Sequence, residues 1–211
     1  MIYDYPKLNP GHDAERCSFH QLHYDAALPL AGTRAEYSLK RKYKFHKIPS
    51  LLRYYPKTMP TQQNGREICE GLCALGYEIG AARSAGFWNM PQNEEPEEHG
   101  FATAHFRMDK KRAAIWLTPP GTDLIISECF FTAMHVYQIE GNAIWLVPQI
   151  GSIEEIILPP LPLAQRIHIV RPFLFSIADL DALVDTPERW RSEGRQVAMV
   201  DHAYYTNTLY R

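Results

Sequence analysis

The sequence contains few cysteines, no long apolar run and no secretion signal. Four cysteines among 211 residues are too few for the disulfide framework of a small secreted domain. The first 30 residues have no basic segment followed by an apolar run. Charges, prolines or glycines interrupt every stretch before the roughly 18 apolar residues that a membrane span needs. We therefore expect a cytoplasmic protein with reduced thiols and no membrane contact.

The common catalytic fingerprints are also missing. The chain has no glycine-rich dinucleotide or phosphate loop, no Gly-x-Ser-x-Gly elbow and no His-Glu-x-x-His pair. Many active sites are assembled from scattered residues, so this lowers the expectation of an enzyme without excluding one. No cofactor is predicted. The length and the 45% hydrophobic content allow a substantial core, and we expect one domain over residues 1–211.

An internal repeat is the clearest positive feature. Its copies are Phe101-x-Thr103-Ala104 with Ala114-Ile115-Trp116-Leu117-x-Pro119, and Phe130-x-Thr132-Ala133 with Ala143-Ile144-Trp145-Leu146-x-Pro148. Eight of 19 aligned positions are identical, against about one expected by chance. The shared residue types suit strands, so we predict two duplicated β-hairpins, at residues 100–119 and 129–148, the second turning at Glu140-Gly141-Asn142. The matched Trp116 and Trp145 are expected in the core.

One long helix is predicted over about residues 65–84. Asn64 is placed to cap it with Glu67 three residues later, and Gly86 follows its end. An apolar stripe runs along it at Ile68, Leu72, Leu75 and Ile79. A second stripe of small residues, Cys69, Cys73, Gly76 and Gly80, would let the helix lie close to a sheet.

The fold class expected from these elements is α+β, with a mostly antiparallel sheet around the duplicated hairpins. The N-terminal segment 1–60 is extended, the helix occupies 61–88, the hairpins occupy 99–150, and the remainder, 151–211, holds a strand and short helices. In that last part Arg166 to Val170 reads as a strand, and Ser176 with Asp179 resembles a capping box. Thr186-Pro187-Glu188 resembles the start of a second short helix that ends at Gly194.

Positive charge is concentrated in residues 34–57. This segment carries eight basic residues and one acid, whereas the rest of the chain carries 14 basic and 23 acidic residues, including the cluster Glu94-Glu95-Pro96-Glu97-Glu98. From Tyr37 to His46, Leu39, Arg41, Tyr43 and Phe45 alternate with Ser38, Lys40, Lys42 and Lys44. That alternation predicts a strand with one cationic face.

Such a segment suits an anionic partner, because cations neutralise phosphates and flat rings stack on unpaired bases. It also contains rings at Tyr37 and Phe45. The residues expected to contact the partner are Lys40, Lys42, Lys44, Lys47, Arg53, Tyr43, Tyr54 and Tyr55. An acidic protein surface would suit the same charges. In a third interpretation the segment has no partner, and its lysines lie on an edge strand where they prevent edge-to-edge pairing of sheets. A pI near 6.5 argues against generic high-affinity DNA binding.

Two further hypotheses belong to other functional classes. A zinc-stabilised module would use Cys17, His20, His23, Cys69 and Cys73. Because the spacing is unusual and Cys69 and Cys73 also fit a packing stripe, no metal ligand is assigned. An enzyme would use a histidine-bearing pocket on the sheet face, formed by His99, His105 and His135. The leading hypothesis is a non-enzymatic binding protein whose partner is a protein, slightly favoured, or a nucleic acid.

Overall fold

The computed structural model describes residues 24–56, 62–63, 66–67, 71–78, 81–89, 107–108, 114–147, 150–171 and 177–201. Helices and strands are mixed through these residues, which agrees with the α+β class expected from the sequence.

Twelve strands lie within the described residues. They are β1 (Leu28–Pro29), β2 (Arg53–Tyr55), β3 (Gln62–Gln63), β4 (Arg66–Glu67), β5 (Gly71–Glu78), β6 (Ala81–Asn89), β7 (Arg107–Met108), β8 (Ala114–Trp116), β9 (Asp123–Ser127), β10 (Ala143–Leu146), β11 (Arg166–Arg171) and β12 (Gln196–Asp201). Residues 24–26 are helical, and the further α-helices of the described residues are α1 (Arg34–Tyr37), α2 (Phe130–Glu140) and α3 (Ile177–Ser192). A π-helix, Ser38–Lys42, continues α1, and a 3₁₀ helix covers Ile150–Glu155.

Ten of these strands form one sheet, in the order β1-β2-β5-β8-β10-β9-β11-β12. β6 pairs with β5, and β7 with β6, while β3 and β4 form a separate two-stranded ladder. The first part of the sheet is antiparallel, as predicted. Most pairings of the sheet are therefore antiparallel, but its last four strands, β10, β9, β11 and β12, are mutually parallel, which the prediction did not include.

The parallel part consists of two strand-helix-strand units. β9, α2 and β10 form one, and β11, α3 and β12 form the other. A parallel neighbour requires a crossover, which α2 and α3 supply. The centre of β9, Leu124 to Ile126, and all of β10 are apolar, since parallel strands are covered on both faces.

The two faces of the sheet are covered by different elements. Ile125, Ile144 and Leu146 point into a core that contains the buried side of α2 and residues of α1 and its π-helix. Leu124, Ile126 and Trp145 point into a second core with α3 and the 3₁₀ helix. The sheet is therefore the middle layer between two apolar layers.

The predicted helix over residues 65–84 was wrong. Gly71–Glu78 and Ala81–Asn89 are the paired antiparallel strands β5 and β6, with Glu78 opposite Ala81. The glycines of this segment each disfavour a helix by about 1 kcal/mol relative to alanine, whereas an extended chain tolerates the small side chains. Leu72 and Ala74 share one face of β5 and are buried in the first core. Residues 64–65, with the expected cap Asn64, lie outside the described residues.

The second predicted hairpin, residues 129–148, was also wrong. Its first half is the helix α2 and its second half is β10. Phe130, Ala133, Met134 and Tyr137 have helical spacing and pack on the first core. Gly141, expected in a hairpin turn, has a φ of 71° and ends α2 as a left-handed cap, so one glycine signal fits both structures.

The first predicted hairpin, residues 100–119, lies largely outside the described residues. Of its described parts, Arg107–Met108 pairs with β6, and Ala114–Trp116 pairs with β5 and β10. The second halves of the two repeats therefore meet as neighbouring antiparallel strands, with Trp116 opposite Trp145.

At the C-terminal end, the strand predicted from Arg166 is confirmed as β11. The two predicted short helices are one continuous helix, α3, with Pro187 inside it. Ala182, Leu183 and Trp190 continue one buried face across that proline, and this packing offsets the backbone hydrogen bond that proline cannot donate. Gly194, with a φ of 90°, follows the end of the helix as expected. Across the described ranges, no helix combines the length and apolar character that a membrane crossing requires.

Candidate functional site

The basic segment begins with a capped helical turn. The Thr33 side chain accepts the N–H of Glu36 at 3.2 Å, and the Glu36 carboxylate accepts the N–H of Gly32 at 2.7 Å. This reciprocal arrangement resembles a capping box and begins α1 at Arg34. The predicted strand from Tyr37 to His46 was therefore wrong, because Arg34–Tyr37 is α-helical and Ser38–Lys42 is π-helical. With it, the interpretation of the lysines as protection of a strand edge no longer applies.

Apolar residues fix the inner side of this turn. Ala35 and Leu39, four residues apart, are fully buried, and the N–H of Phe45 donates to the Leu39 carbonyl at 2.8 Å. Phe45 is 1% exposed, and its ring lies edge-on to His135 of α2, with centroids 4.9 Å apart. The segment is therefore packed on α2 and held in one geometry.

A side chain of α2 also holds the end of the segment. The Gln138 amide accepts the N–H of Lys47 at 2.7 Å and donates to the Lys47 carbonyl at 2.7 Å. This two-point contact joins residues 91 positions apart in the chain. It positions the backbone of Lys47 and leaves the lysine side chain exposed.

The outer side of the segment is polar, cationic and partly aromatic. We define the basic surface as the exposed residues Arg34, Tyr37, Lys40, Arg41 and Lys44. Arg34, Tyr37 and Arg41 are three and four residues apart and so lie on one side of the helical run, opposite Ala35 and Leu39. Tyr37 is 56% exposed, and the Arg41 guanidinium lies 5.3 Å from its ring centroid, a cation–π distance.

One acid lies within this surface, and its charge is largely compensated. The Glu36 carboxylate contacts the Lys40 ammonium at 2.7 Å, four residues along the helical run. Hydrogen bonding from Lys40, and then from the Gly32 amide, lowers the pKa of Glu36 below its usual value. Glu36 therefore stays ionised at neutral pH and offsets the charge of Lys40, whereas Arg41 and Lys44 add positive charge to the surface.

A recess of about 450 Å³ opens on the basic surface. Its walls are formed by Gly32, Thr33, Glu36, Tyr37, Lys40 and Arg41. It therefore combines an exposed ring, a guanidinium and a compensated ion pair within one depression. It is a shallow depression that is open to solvent rather than an enclosed cavity.

The cationic residues predicted to contact a partner differ in their exposure. Lys40, Lys44 and Lys47 are exposed. Lys42 and Arg53 are half-buried against rings, 5.6 Å from Tyr43 and 4.4 Å from Tyr24.

The predicted rings are less accessible. Tyr55 is fully buried on β2, Tyr54 is half-buried, and Tyr43 packs against Phe131 of α2 at a centroid distance of 5.3 Å. Burial also raises the pKa of Tyr43. The structure thus brings together Lys40 and the unassigned Arg41 and Tyr37 around one recess. The sequence signal for this arrangement is Thr33-x-x-Glu36 together with apolar Ala35 and Leu39, which are four residues apart, and it indicates a helix start rather than a strand.

The proposed zinc ligands are only partly within the described residues. Cys17, His20, His23 and Cys69 lie outside them. Cys73 is buried on β5, and that burial raises the pKa of its thiol to about 12. A thiol must lose its proton to bind zinc, so the environment of Cys73 disfavours that role. In the part of the chain that the structure describes, no three His, Cys, Asp or Glu side chains meet in a metal-binding arrangement.

The structure removes one histidine from the proposed pocket on the sheet face. His135 was expected on a sheet face and instead lies on α2, against Phe45. His99 and His105 lie outside the described residues. The expectation for the two tryptophans is confirmed: Trp116 and Trp145 are buried and stack with ring centroids 4.5 Å apart.

A second position with functional potential lies at the carboxyl ends of β9 and β11. β10 flanks β9 on one side and β11 flanks it on the other, so the connections from β9 and β11 leave in opposite directions. Open α/β sheets bind ligands at such a point. Glu128 follows β9 directly, and Asp179 lies in the first turn of α3, which follows β11. We call Glu128 and Asp179 the carboxyl-edge pair.

Both members of the carboxyl-edge pair bind the backbone. Glu128 accepts the N–H of Ile150 at 3.1 Å, and Asp179 accepts the N–H of Gly151 at 3.1 Å. These are the first two amides of the 3₁₀ helix, which have no partner within that helix. Burial, and then the charge of Asp179, raise the pKa of Glu128 despite its bond to Ile150. The pair therefore stabilises the chain after β10, and it was not identifiable from sequence because its members are 51 residues apart.

No protein-family model matches the chain, and no curated protein is significantly similar to it in sequence.

Proposed function

We propose that this protein is a non-enzymatic binding protein that contacts an anionic partner, a nucleic acid or an acidic protein surface, through the basic surface. The observation that carries this proposal is the exposure of Tyr37 beside Arg41, with the ring 56% exposed and the guanidinium 5.3 Å from its centroid. The neighbouring rings of Tyr43 and Phe45 pack inward. An exposed ring among cations is typical of a contact surface rather than of a core.

The rigidity of the segment supports the same function. Leu39 and Phe45 anchor it in the core, and Gln138 holds the backbone at Lys47. A surface that is ordered before binding loses less conformational entropy when the partner arrives. The basic surface is therefore suited to specific recognition and not only to diffuse attraction.

The charge distribution of the chain supports an anionic partner. Residues 34–57 carry a strong positive excess, whereas the rest of the chain is acidic. An anionic partner is attracted to the basic surface and repelled elsewhere, so the charges orient the encounter. Binding should weaken as salt increases, because exposed charges are screened.

Fluorescence anisotropy with a labelled single-stranded oligonucleotide and with labelled polyglutamate, at several salt concentrations, tests the proposal. We expect salt-dependent binding of at least one of these polyanions. Arg41→Glu should reduce the affinity about tenfold at 0.1 M salt, because it removes one cation and adds a repulsive charge. The melting temperature should stay unchanged, since Arg41 is exposed.

Arg189→Glu is the matched control. Arg189 is exposed on α3, on the other face of the sheet, and its substitution changes the net charge by the same amount. The control should change the affinity less than twofold. Equal losses of affinity for the two variants would show that only the net charge matters and would contradict a defined surface. If neither polyanion bound at low salt, the proposed function itself would be contradicted.

A further inference from the structure

We infer that the recess beside Tyr37 receives one unpaired base of a single-stranded nucleic acid, which stacks on the Tyr37 ring while Arg41 contacts the adjacent phosphate. This inference rests on the proposed function and names the partner class of the same surface. The recess, its ring and its guanidinium lie within residues 32–41, on one short stretch of chain.

The exposed ring distinguishes a nucleic acid from an acidic protein. Aspartate and glutamate side chains complement Arg41 and Lys44, but they offer no flat surface to Tyr37. A base offers both a π-face and an adjoining phosphate, and stacking on an aromatic side chain contributes about 1–3 kcal/mol per base. The arrangement of Tyr37 and Arg41 matches both parts of a nucleotide.

The same ring distinguishes a single strand from a duplex. In a duplex the faces of the bases are covered by their neighbours, and only their edges and the phosphates are accessible. A duplex would therefore use the cations of the basic surface and leave the Tyr37 ring without a partner. An unpaired base can reach the exposed Tyr37 ring, because the recess that this ring lines is open to solvent.

The acid in the wall of the recess does not oppose this assignment. Both oxygens of Glu36 are engaged, one with the Lys40 ammonium and one with the Gly32 amide, each at 2.7 Å. Its charge is therefore compensated locally. The Arg41 guanidinium lies 5.3 Å from the centroid of the Tyr37 ring and so places a positive charge beside the ring on which the base would stack.

The test compares three labelled ligands of equal length at one salt concentration: a 12-nucleotide oligothymidine, an abasic oligomer with the same phosphates, and a duplex. We expect the natural single strand to bind about tenfold more tightly than the abasic strand and the duplex, for one stacked base. Tyr37→Ala should abolish this preference and leave the salt dependence unchanged. Tyr37→Phe should retain the preference, because it keeps the ring.

A covalent readout does not depend on affinity. Photo-crosslinking with a 5-iodouracil oligonucleotide should label the tryptic peptide Ala35–Lys40, which contains Tyr37 as its one aromatic residue. Labelling should be lost in Tyr37→Ala. If the natural strand bound no more tightly than the abasic strand or the duplex, and Arg41→Glu still weakened binding, the stacked base would be overturned. The proposed function would remain intact. Binding of polyglutamate alone would overturn the nucleic-acid partner in the same way.

Discussion

The basic surface and the carboxyl-edge pair use charged side chains for opposite purposes. In the basic surface, Arg41 and Lys44 project into solvent from a turn that apolar residues hold from below. In the carboxyl-edge pair, Glu128 and Asp179 turn toward the backbone and accept the amides of Ile150 and Gly151. Charge that is exposed on a rigid support is available to a partner, whereas charge engaged with backbone amides maintains the fold. The comparison predicts that substitutions will separate binding from stability.

The largest effect is expected where the basic surface is attached to the core. Leu39→Ala removes a fully buried side chain beneath the exposed cations. We expect a loss of about 2–5 kcal/mol in the free energy of unfolding, from lost burial and the cavity that remains. Denaturant unfolding measures it, and affinity for the single-stranded oligonucleotide should fall as well. Undiminished stability would show that the turn is not anchored through Leu39.

Gly151→Ala should disrupt the carboxyl-edge pair and leave binding intact. An added Cβ would lie 2.6 Å from the Asp179 carboxylate oxygen, so this carboxylate must shift and its partly buried hydrogen bond to the Gly151 amide is weakened or lost. A loss of about 1–3 kcal/mol is expected, which thermal unfolding would detect. Gly121→Ala is the matched control, because its Cβ would meet Ala143 at an ordinary 3.5 Å and should change stability little. Similar losses in both variants would argue against a specific role for Asp179.

Glu128→Gln should stabilise the protein at neutral pH. Its raised pKa means that the folded protein favours the protonated carboxyl, so ionisation costs stability as the pH rises through that pKa. Glutamine keeps an acceptor for Ile150 and removes the charge. We expect the free energy of unfolding to rise by less than about 1 kcal/mol, since solvent screens part of the effect. This corresponds to a rise of up to about 3 °C in melting temperature. The gain should vanish below the usual pKa of glutamate, and a gain that persisted in acid would point to another cause.

The smallest effect belongs to the acid of the basic surface. Glu36→Gln keeps a side chain that suits the third position of a capping box and releases Lys40 from its ion pair. Affinity for the oligonucleotide should rise about two- to fivefold, as one more cation becomes available to phosphate. Because the pKa of Glu36 is lowered, the difference should be constant from pH 6 to 8. Anisotropy at low salt measures it, and a fall in affinity would mean that Glu36 itself contacts the partner.

Part of the fold could be predicted from local signals. The strand from Arg166 and the helix stop at Gly194 were predicted because their signals, a short β-branched run and a glycine after a periodic segment, have one interpretation. The turn at Gly141 was misread because left-handed glycine serves hairpins and helix ends equally. Alternation from Tyr37 to His46 was also misleading, since a capped helical turn with two buried residues produces a similar pattern over so few residues.

The sequence by itself determined where positive charge and aromatic residues are concentrated, which pointed to residues 34–57. It also carried the matched tryptophans that stack in the core. Only the tertiary structure decided that Tyr37 is exposed while Tyr55 is buried, and that Glu128 and Asp179 meet consecutive amides. Charge is a property of each side chain and can be read from the sequence directly. Exposure and hydrogen-bond partners depend on which elements, distant in the chain, pack together, and no short stretch of sequence specifies that packing.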